Sequence, residues 1–224
     1  MSDLRSMHEA VLAASKDLNQ RGLVEGSSGN VSARVDERHV CMTPSSIPYD
    51  DMTIDDLVVV DLDGEVIDGD KGPTSEKALH LACYRKYPEV GGVIHSHAVF
   101  ATMFAVARQP IPAAIEEVAV YIGGDVEVCE YTMTGTDELG EVVADNLAER
   151  GATLLANHGM VTVGKTVEKA LHNAALVERT AQIVWGARML GTPHDVPAEV
   201  NENFGSVYKP VSYTHLTLPT IYSV

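Results

Sequence analysis

The sequence predicts an α/β domain in which helices cover a sheet. Three observations predict it. Helical and strand-like apolar patterns alternate along the chain. The chain has 224 residues, 45% of them apolar, which is enough for one sizeable core. No internal repeat or linker divides it.

The first element is a helix from about Leu4 to Gly22. Met7, Ala10, Val11, Ala14 and Leu18 recur at helical spacing, and Gly22 can end it. After the loop Glu25–Asn30, short alternating strands cover Val31–Val35 and His39–Thr43. Leu57–Asp61 reads as a buried strand, and Asp63-Gly64 turns the chain toward Glu65–Ile67. Ser75–Tyr87 predicts a helix with Ala78, Leu79, Ala82 and Cys83 on one face, closed by Pro88. Val93–His97 is a strand running into a helix over Ala98–Ala107. Asp125–Glu130 is a strand, and Thr136 opens a helix reaching about Glu149. Thr153–Ala156 and Val161–Val163 read as paired strands around Asn157-His158-Gly159. Thr166 caps a long helix ending near Leu190.

The net charge is −16, from 16 basic and 32 acidic residues. Nucleic acid and anionic membrane both require a basic face, so neither is an expected partner. No apolar run reaches membrane-spanning length, and the N-terminal stretch is charged and amphipathic rather than a signal peptide, so the expected compartment is the cytoplasm. Cys41, Cys83 and Cys129 are far apart and odd in number, which predicts small core residues rather than disulfides or a cysteine metal site. The segment 211–224 carries no Asp, Glu, Lys or Arg, and one reverse translation of it matches a transposon-type sequencing adapter read in frame. It is expected to be a non-native tail following a domain over 1–210, and His215 is set aside with it.

His95-Ser96-His97 lies at the end of a predicted strand, where side chains two apart share a face and can converge on one metal ion. The same spacing also fits two unrelated polar residues at a strand end. His158, at the tip of a turn where Gly159 permits an unusual backbone conformation, supplies a third imidazole. Three histidines with one position open is a catalytic zinc arrangement. Glu76 starts a helix; it fits a carboxylate complementing the helix dipole, and also an acid/base beside a metal. His80, one turn later, fits either a packed side chain or a partner to the site. Ser27-Ser28-Gly29-Asn30, Thr43-Pro44-Ser45-Ser46 and Thr74-Ser75 offer the hydroxyls and free N–H groups that hold phosphate. No Walker-type or dinucleotide glycine motif is present.

The segments Ser28–Arg34, Thr43–Tyr49, Pro73–Glu76, His95–Ala98 and Asn157–Gly159 occur in an order and spacing that resembles the class II aldolase/adducin family, nearest its fuculose-phosphate-aldolase-like members. The resemblance covers Met1–Pro210. It implies a three-layer α/β/α domain with a central, largely antiparallel sheet, and a homotetramer with sites at subunit boundaries. It implies zinc on His95, His97 and His158, with Glu76 as acid/base and as a resting-state metal ligand. Gly29, Asn30, Ser45, Ser46, Thr74 and Ser75 match the phosphate cradle. Ser46 stands where many members have glycine. Glu117, beside Glu116, is nearest in register to a tyrosine given to the neighbouring site, and Tyr208 lies one residue from a tyrosine that closes over substrate.

The activity this resemblance implies is zinc-dependent retro-aldol cleavage of a ketose 1-phosphate to dihydroxyacetone phosphate and an aldehyde, a lyase reaction. A Schiff-base route is disfavoured because no lysine falls in an apolar strand. The alternatives on the same scaffold are a pentulose-phosphate 4-epimerase, whose members typically carry aspartate where Glu76 stands, a decarboxylase or a dehydratase. Of another class is a non-catalytic adducin-like interaction domain, against which the intact His95, His97, His158 and Glu76 set argues.

Overall fold

The computed structural model describes residues 2–205 except Glu149 and Asp195; Tyr208 and the segment 211–224 lie outside the described residues. Helix α1 (Ser2–Gln20) precedes β1 (Asn30–Arg34) and β2 (His39–Met42), and a single 3₁₀ turn (Ile54–Asp56) leads into β3 (Val58–Asp61) and β4 (Val66–Asp68). Then come α2 (Lys77–Lys86), β5 (Gly92–Ser96), α3 (Val99–Ala107), α4 (Glu116–Tyr121), β6 (Val128–Cys129) and α5 (Asp137–Asn146). A hairpin of β7 (Ala152–Leu155) and β8 (Gly159–Gly164), the long α6 (Val167–Leu190) and α7 (Ala198–Gly205) complete the described chain.

The eight strands form one sheet in the order β4-β3-β2-β1-β5-β8-β7-β6. Every pairing is antiparallel except β6 with β7. The expected α/β class with a largely antiparallel sheet is therefore the observed one.

Strand side chains alternate between two cores, as the two-residue period requires. Val31, Ala33, Cys41, Val59, Ile94 and Met160 pack on one face with α1, α3 and α6. Val40, Met42, Val58, Val60, Val93 and Val161 pack on the other with α2 and α5. Burial of each large apolar side chain contributes roughly 1.5–3 kcal/mol, so a sheet covered on both faces supplies most of the folding drive. By the same alternation Asn30, Ser32 and His95 belong to the α2 face. The three cysteines are buried and unpaired. Burial pushes the Cys41 and Cys83 thiols up to about 12, so they act as small core residues.

Helix α6 runs against the centre of the sheet. Its small buried residues Ala170, Ala174 and Ala181 admit close approach, Thr162 Oγ1 donates to the Ala170 carbonyl at 2.9 Å, and Asn173 Nδ2 donates to the Val163 carbonyl at 2.8 Å. Glu178 of α6 accepts the Phe100 and Ala101 N–H groups at 2.9 and 2.8 Å, anchoring the start of α3 just beyond His97. Thr166 caps α6 and Thr136 caps α5, each accepting an N–H three residues on.

Boundaries differ from the sequence expectation where no local signal marks them. Helix α2 begins at Lys77 rather than Ser75, because Thr74 and Ser75 belong to a turn tied to Thr43. Strand β6 is two residues long rather than six, because only Val128 and Cys129 reach β7. Helices α4 and α7 are additional to the sequence reading; they pack on one another, a tertiary contact that a local pattern does not reveal.

Candidate active site and metal centre

Strand β5 lies between β1 and β8, with His95 opposite Asn30 on one side and Val161 on the other. His95 is fully buried, and β5 ends at Ser96, so His97 stands just past the strand. His158 comes from the turn joining β7 to β8, where Asn157 takes the left-handed conformation with φ 57°. That corrects the reading of Gly159. Asparagine makes the unusual turn, as it can at modest cost, while Gly159 is required by proximity. A Cβ there would stand 2.3 Å from the Ser96 carbonyl oxygen and 3.1 Å from His97 Cδ2. Glycine thus lets β8 close on β5 where the rings meet.

The three rings converge. Their centroids are 4.8 Å (His95–His97), 4.6 Å (His95–His158) and 5.0 Å (His97–His158) apart. Their ligand nitrogens lie within 4.8 Å of one another. His95 Nδ1 donates to the Met160 carbonyl at 3.0 Å. A carbonyl only accepts, so the His95 proton is on Nδ1, and its Nε2 faces the cluster with a lone pair. His97 Nε2 stands 2.9 Å from that atom.

Glu76 supplies the fourth group. It occupies the N-cap position of α2, yet its carboxylate makes no capping bond. It turns instead toward the histidines, with Oε2 3.2 Å from His95 Nε2 and Oε1 3.5 Å from His158 Nε2. Oε2 accepts the Asn30 amide at 3.0 Å, and Oε1 is buried with no hydrogen bond.

Burial, then the neighbouring His158 and His97, holds His95 well below its ordinary value; burial and His158 lower His97. Neutral imidazoles are the metal-binding form. The converging ring nitrogens, the neutral His95 and His97 rings and the orphaned carboxylate oxygen fit a divalent cation with three nitrogen ligands and one oxygen ligand. The histidine triad is positioned for a metal.

The histidine cluster opens on a cavity of about 360 Å³. Gly29, Asn30, Ser45, Ser46, Thr74 and Ser75 all line it, together with Glu76, His97 and His158. The loops carrying Ser45 and Thr74 are stitched together: Ser45 N–H donates to the Gly72 carbonyl at 3.0 Å and Thr74 N–H to the Thr43 carbonyl at 3.1 Å. Ser46 has φ 64°, a conformation glycine takes without strain, which explains why glycine suits that position. Thr134 and Gly135 also line the cavity, and sequence reasoning did not find them. Their only local signal is a Thr-Gly-Thr run before α5. Glu117 instead lines a separate cleft with Arg21, Tyr121, His172 and Arg179. Among the described residues no lysine or arginine lines the cavity.

Residues 9–185 match the model of the Class II Aldolase and Adducin N-terminal domain. The chain belongs to the class II aldolase/adducin family. It is 38% identical over 197 residues to the L-ribulose-5-phosphate 4-epimerase UlaF of Salmonella paratyphi C, covering 83% of this chain and 86% of that protein. Its fold is similar to that of an L-fuculose 1-phosphate aldolase, with TM-score 0.85, 33% identity, and 90% and 95% of the two chains covered. It is similar also to YgbL of Escherichia coli, a putative aldolase/epimerase/decarboxylase by title, with TM-score 0.81, 26% identity, and 92% and 100% coverage.

These relatives correct the expectation of net ketose 1-phosphate cleavage. The curated similarity is to 4-epimerases, and the fuculose-phosphate aldolase is a structural neighbour. The physical reason is that the motifs at 28–34, 73–76, 95–98 and 157–159 build the histidine cluster and the hydroxyl-rich cavity beside it. Whether the cleaved bond is re-formed is not written in them.

Gly159→Ala tests the close approach. Forcing the Ser96 carbonyl and His97 ring aside is expected to cost about 1–3 kcal/mol of stability, as for overpacking elsewhere. Chemical denaturation measures the loss, and metal titration should show weakened binding; unchanged values of both would mean that the strand pair has room there.

Proposed function

We propose that the chain is a zinc-dependent 4-epimerase of a pentulose 5-phosphate of the L-ribulose 5-phosphate type. The observation that carries this reading is the 38% identity, across 83% of the chain, to a 4-epimerase. The buried acceptor cluster facing a hydroxyl-rich cavity supports it.

In a 2-ketose the C4 hydroxyl is β to the carbonyl, whereas the C4 hydrogen is not acidic. Inversion at C4 therefore proceeds by breaking and re-forming the C3–C4 bond. The hydroxyl proton leaves to a base, the C3–C4 electron pair passes into a three-carbon enediolate, and C4 becomes an aldehyde carbon. Rotation of the aldehyde and the reverse steps give the epimer.

His95, His97 and His158 would hold the zinc, with Glu76 as a resting-state fourth ligand. When bound, the cation supplies Lewis-acid stabilisation of charge developing on substrate oxygens. Glu76 is assigned the proton transfer, because it lines the cavity and its Oε1 has no hydrogen bond of its own. Its side chain is one methylene longer than the aspartate typical of epimerases, and it still meets His95, His158 and Asn30. Tyr208, matched by the resemblance to a tyrosine that closes over substrate, or a water is assigned the proton exchange at the C4 oxygen on the face that Glu76 does not serve.

Gly29, Ser45, Ser46, Thr74 and Ser75 are assigned to the phosphate through N–H and hydroxyl donors, which suits a chain of net charge −16 whose cavity wall carries no lysine or arginine among the described residues. The phosphate position gives a reason for epimerisation. Cleavage of a 5-phosphate leaves the phosphate on the aldehyde fragment, so the cradle retains that fragment for re-addition. In a 1-phosphate it stays on the ketone fragment, and the aldehyde departs. The homotetramer with sites at subunit boundaries belongs to the same proposal. The exposed Val99, Met103 and Val106 along α3 support an assembled state.

Incubating the metal-loaded protein with L-ribulose 5-phosphate should give its C4 epimer until equilibrium, with no free two-carbon aldehyde phosphate. Accumulation of that aldehyde, or no epimer, would contradict the reading. Glu76→Gln retains shape and removes the basic oxygen. It should still bind metal while kcat falls by about 10² to 10⁴, the usual contribution of a general acid/base. A variant at the wild-type rate would reduce Glu76 to a structural carboxylate.

A further inference from the structure

On the α2 face of the sheet, a line of polar side chains runs from Glu76 away from the cavity. Asn30 Nδ2 is 3.0 Å from Glu76 Oε2, and Asn30 Oδ1 is 2.5 Å from His80 Nε2. His80 Nδ1 is 2.6 Å from Ser32 Oγ, which is 2.9 Å from Tyr84 Oη. Ser32 and His80 are wholly buried, and Asn30 and Tyr84 nearly so. The residues come from β1 and α2, 46 to 52 positions apart in sequence.

The direction of every bond follows from the carboxylate end. Glu76 accepts, so Asn30 turns its NH₂ group toward it and its carbonyl toward His80. That carbonyl also accepts, so the His80 proton is on Nε2. Burial pushes His80 down to about 3, so the ring is neutral and has one N–H. Nδ1 therefore accepts from the Ser32 hydroxyl, whose oxygen accepts from Tyr84. Four donors point one way, from Tyr84 to the Glu76 carboxylate, and bonds so aligned polarise one another.

We propose that His80 is a positioning residue for Glu76: its Nε2–H locks the Asn30 amide in the one orientation that offers an N–H to the carboxylate. An amide has nearly the same shape when flipped. Without the His80 donor, nothing else in this line prevents Asn30 from presenting its carbonyl to Glu76, where two acceptors would repel. The line also displaces apolar packing between β1 and α2, a cost that buried polar groups offset only when every partner is present. The proposal rests on the reading of Glu76 as the proton-transfer group.

Three measurements test it. His80→Phe fills the ring volume without a donor, and His80→Gln places an amide N–H near the Nε2 position. For the metal-loaded protein, His80→Phe should lower kcat by about 10- to 100-fold, as loss of a partner behind a site residue does. KM and metal content should stay near wild type, and His80→Gln should regain most of the lost kcat. A merely structural role would lower the unfolding temperature of both variants and leave kcat in place. The third measurement is ¹⁵N NMR of the wild-type imidazoles, which should show His80 as the Nε2–H tautomer; it holds whether or not His80→Phe folds. Wild-type kcat in His80→Phe, no gain in His80→Gln over His80→Phe, or an Nδ1–H tautomer would each overturn the proposal. An inert wild-type protein with the Nε2–H tautomer would count against the epimerase reading alone, and for the placement of Glu76 by His80.

Discussion

Three imidazoles and a carboxylate held together at the centre of the sheet are the constraint on which this molecule is organised. His95 Nε2 has His97 Nε2 at 2.9 Å and Glu76 Oε2 at 3.2 Å. Nitrogens and oxygens held this close can share one cation. The surroundings enforce it. The Met160 carbonyl fixes the His95 tautomer, Gly159 lets β8 close on β5, the Asn157 turn presents His158, and Glu76 faces the rings from the start of α2. Two covered sheet faces provide the rigidity that holds these groups together.

The same scaffold serves opposite outcomes because the chemistry divides late. Bond cleavage beta to a carbonyl requires a site for developing negative charge and a proton acceptor, and the proposed reading gives both to the histidine cluster and Glu76. The fate of the aldehyde depends on which fragment carries the phosphate and is retained. In this chain the cavity is lined by several loops and, among the described residues, by no lysine or arginine, so under the proposed reading a phosphate would be held by many modest, directional bonds.

Much of the site was legible in the sequence because its signals are local. His95 and His97 are two residues apart at a strand end, Asn-His-Gly marks a tight turn, and the threonines that cap α5 and α6 stand where capping chemistry wants them. The less legible parts are non-local. The bond from Asn30 to Glu76 spans 46 positions, and it puts a residue read as phosphate-binding to work on the carboxylate as well. Thr134 and Gly135 reach the cavity only through the packing of α5 against α2. Helix α4 is six residues long, too short for a periodic pattern to stand out. Gly159 was noticed for the wrong reason, since a sequence shows a glycine but not what a Cβ would strike. Aldolase was expected over epimerase because Glu76 points one way locally, while the similarity along most of the chain points the other.

The central claim is that the acceptor cluster is a metal centre. X-ray absorption at the metal edge of the purified protein, calibrated by elemental analysis, tests it most directly. The account predicts one divalent ion per chain with three imidazole nitrogens at about 2.0–2.1 Å and the remaining contacts from oxygen. A spectrum dominated by sulfur ligands, or a protein that takes up no stoichiometric ion, would contradict it.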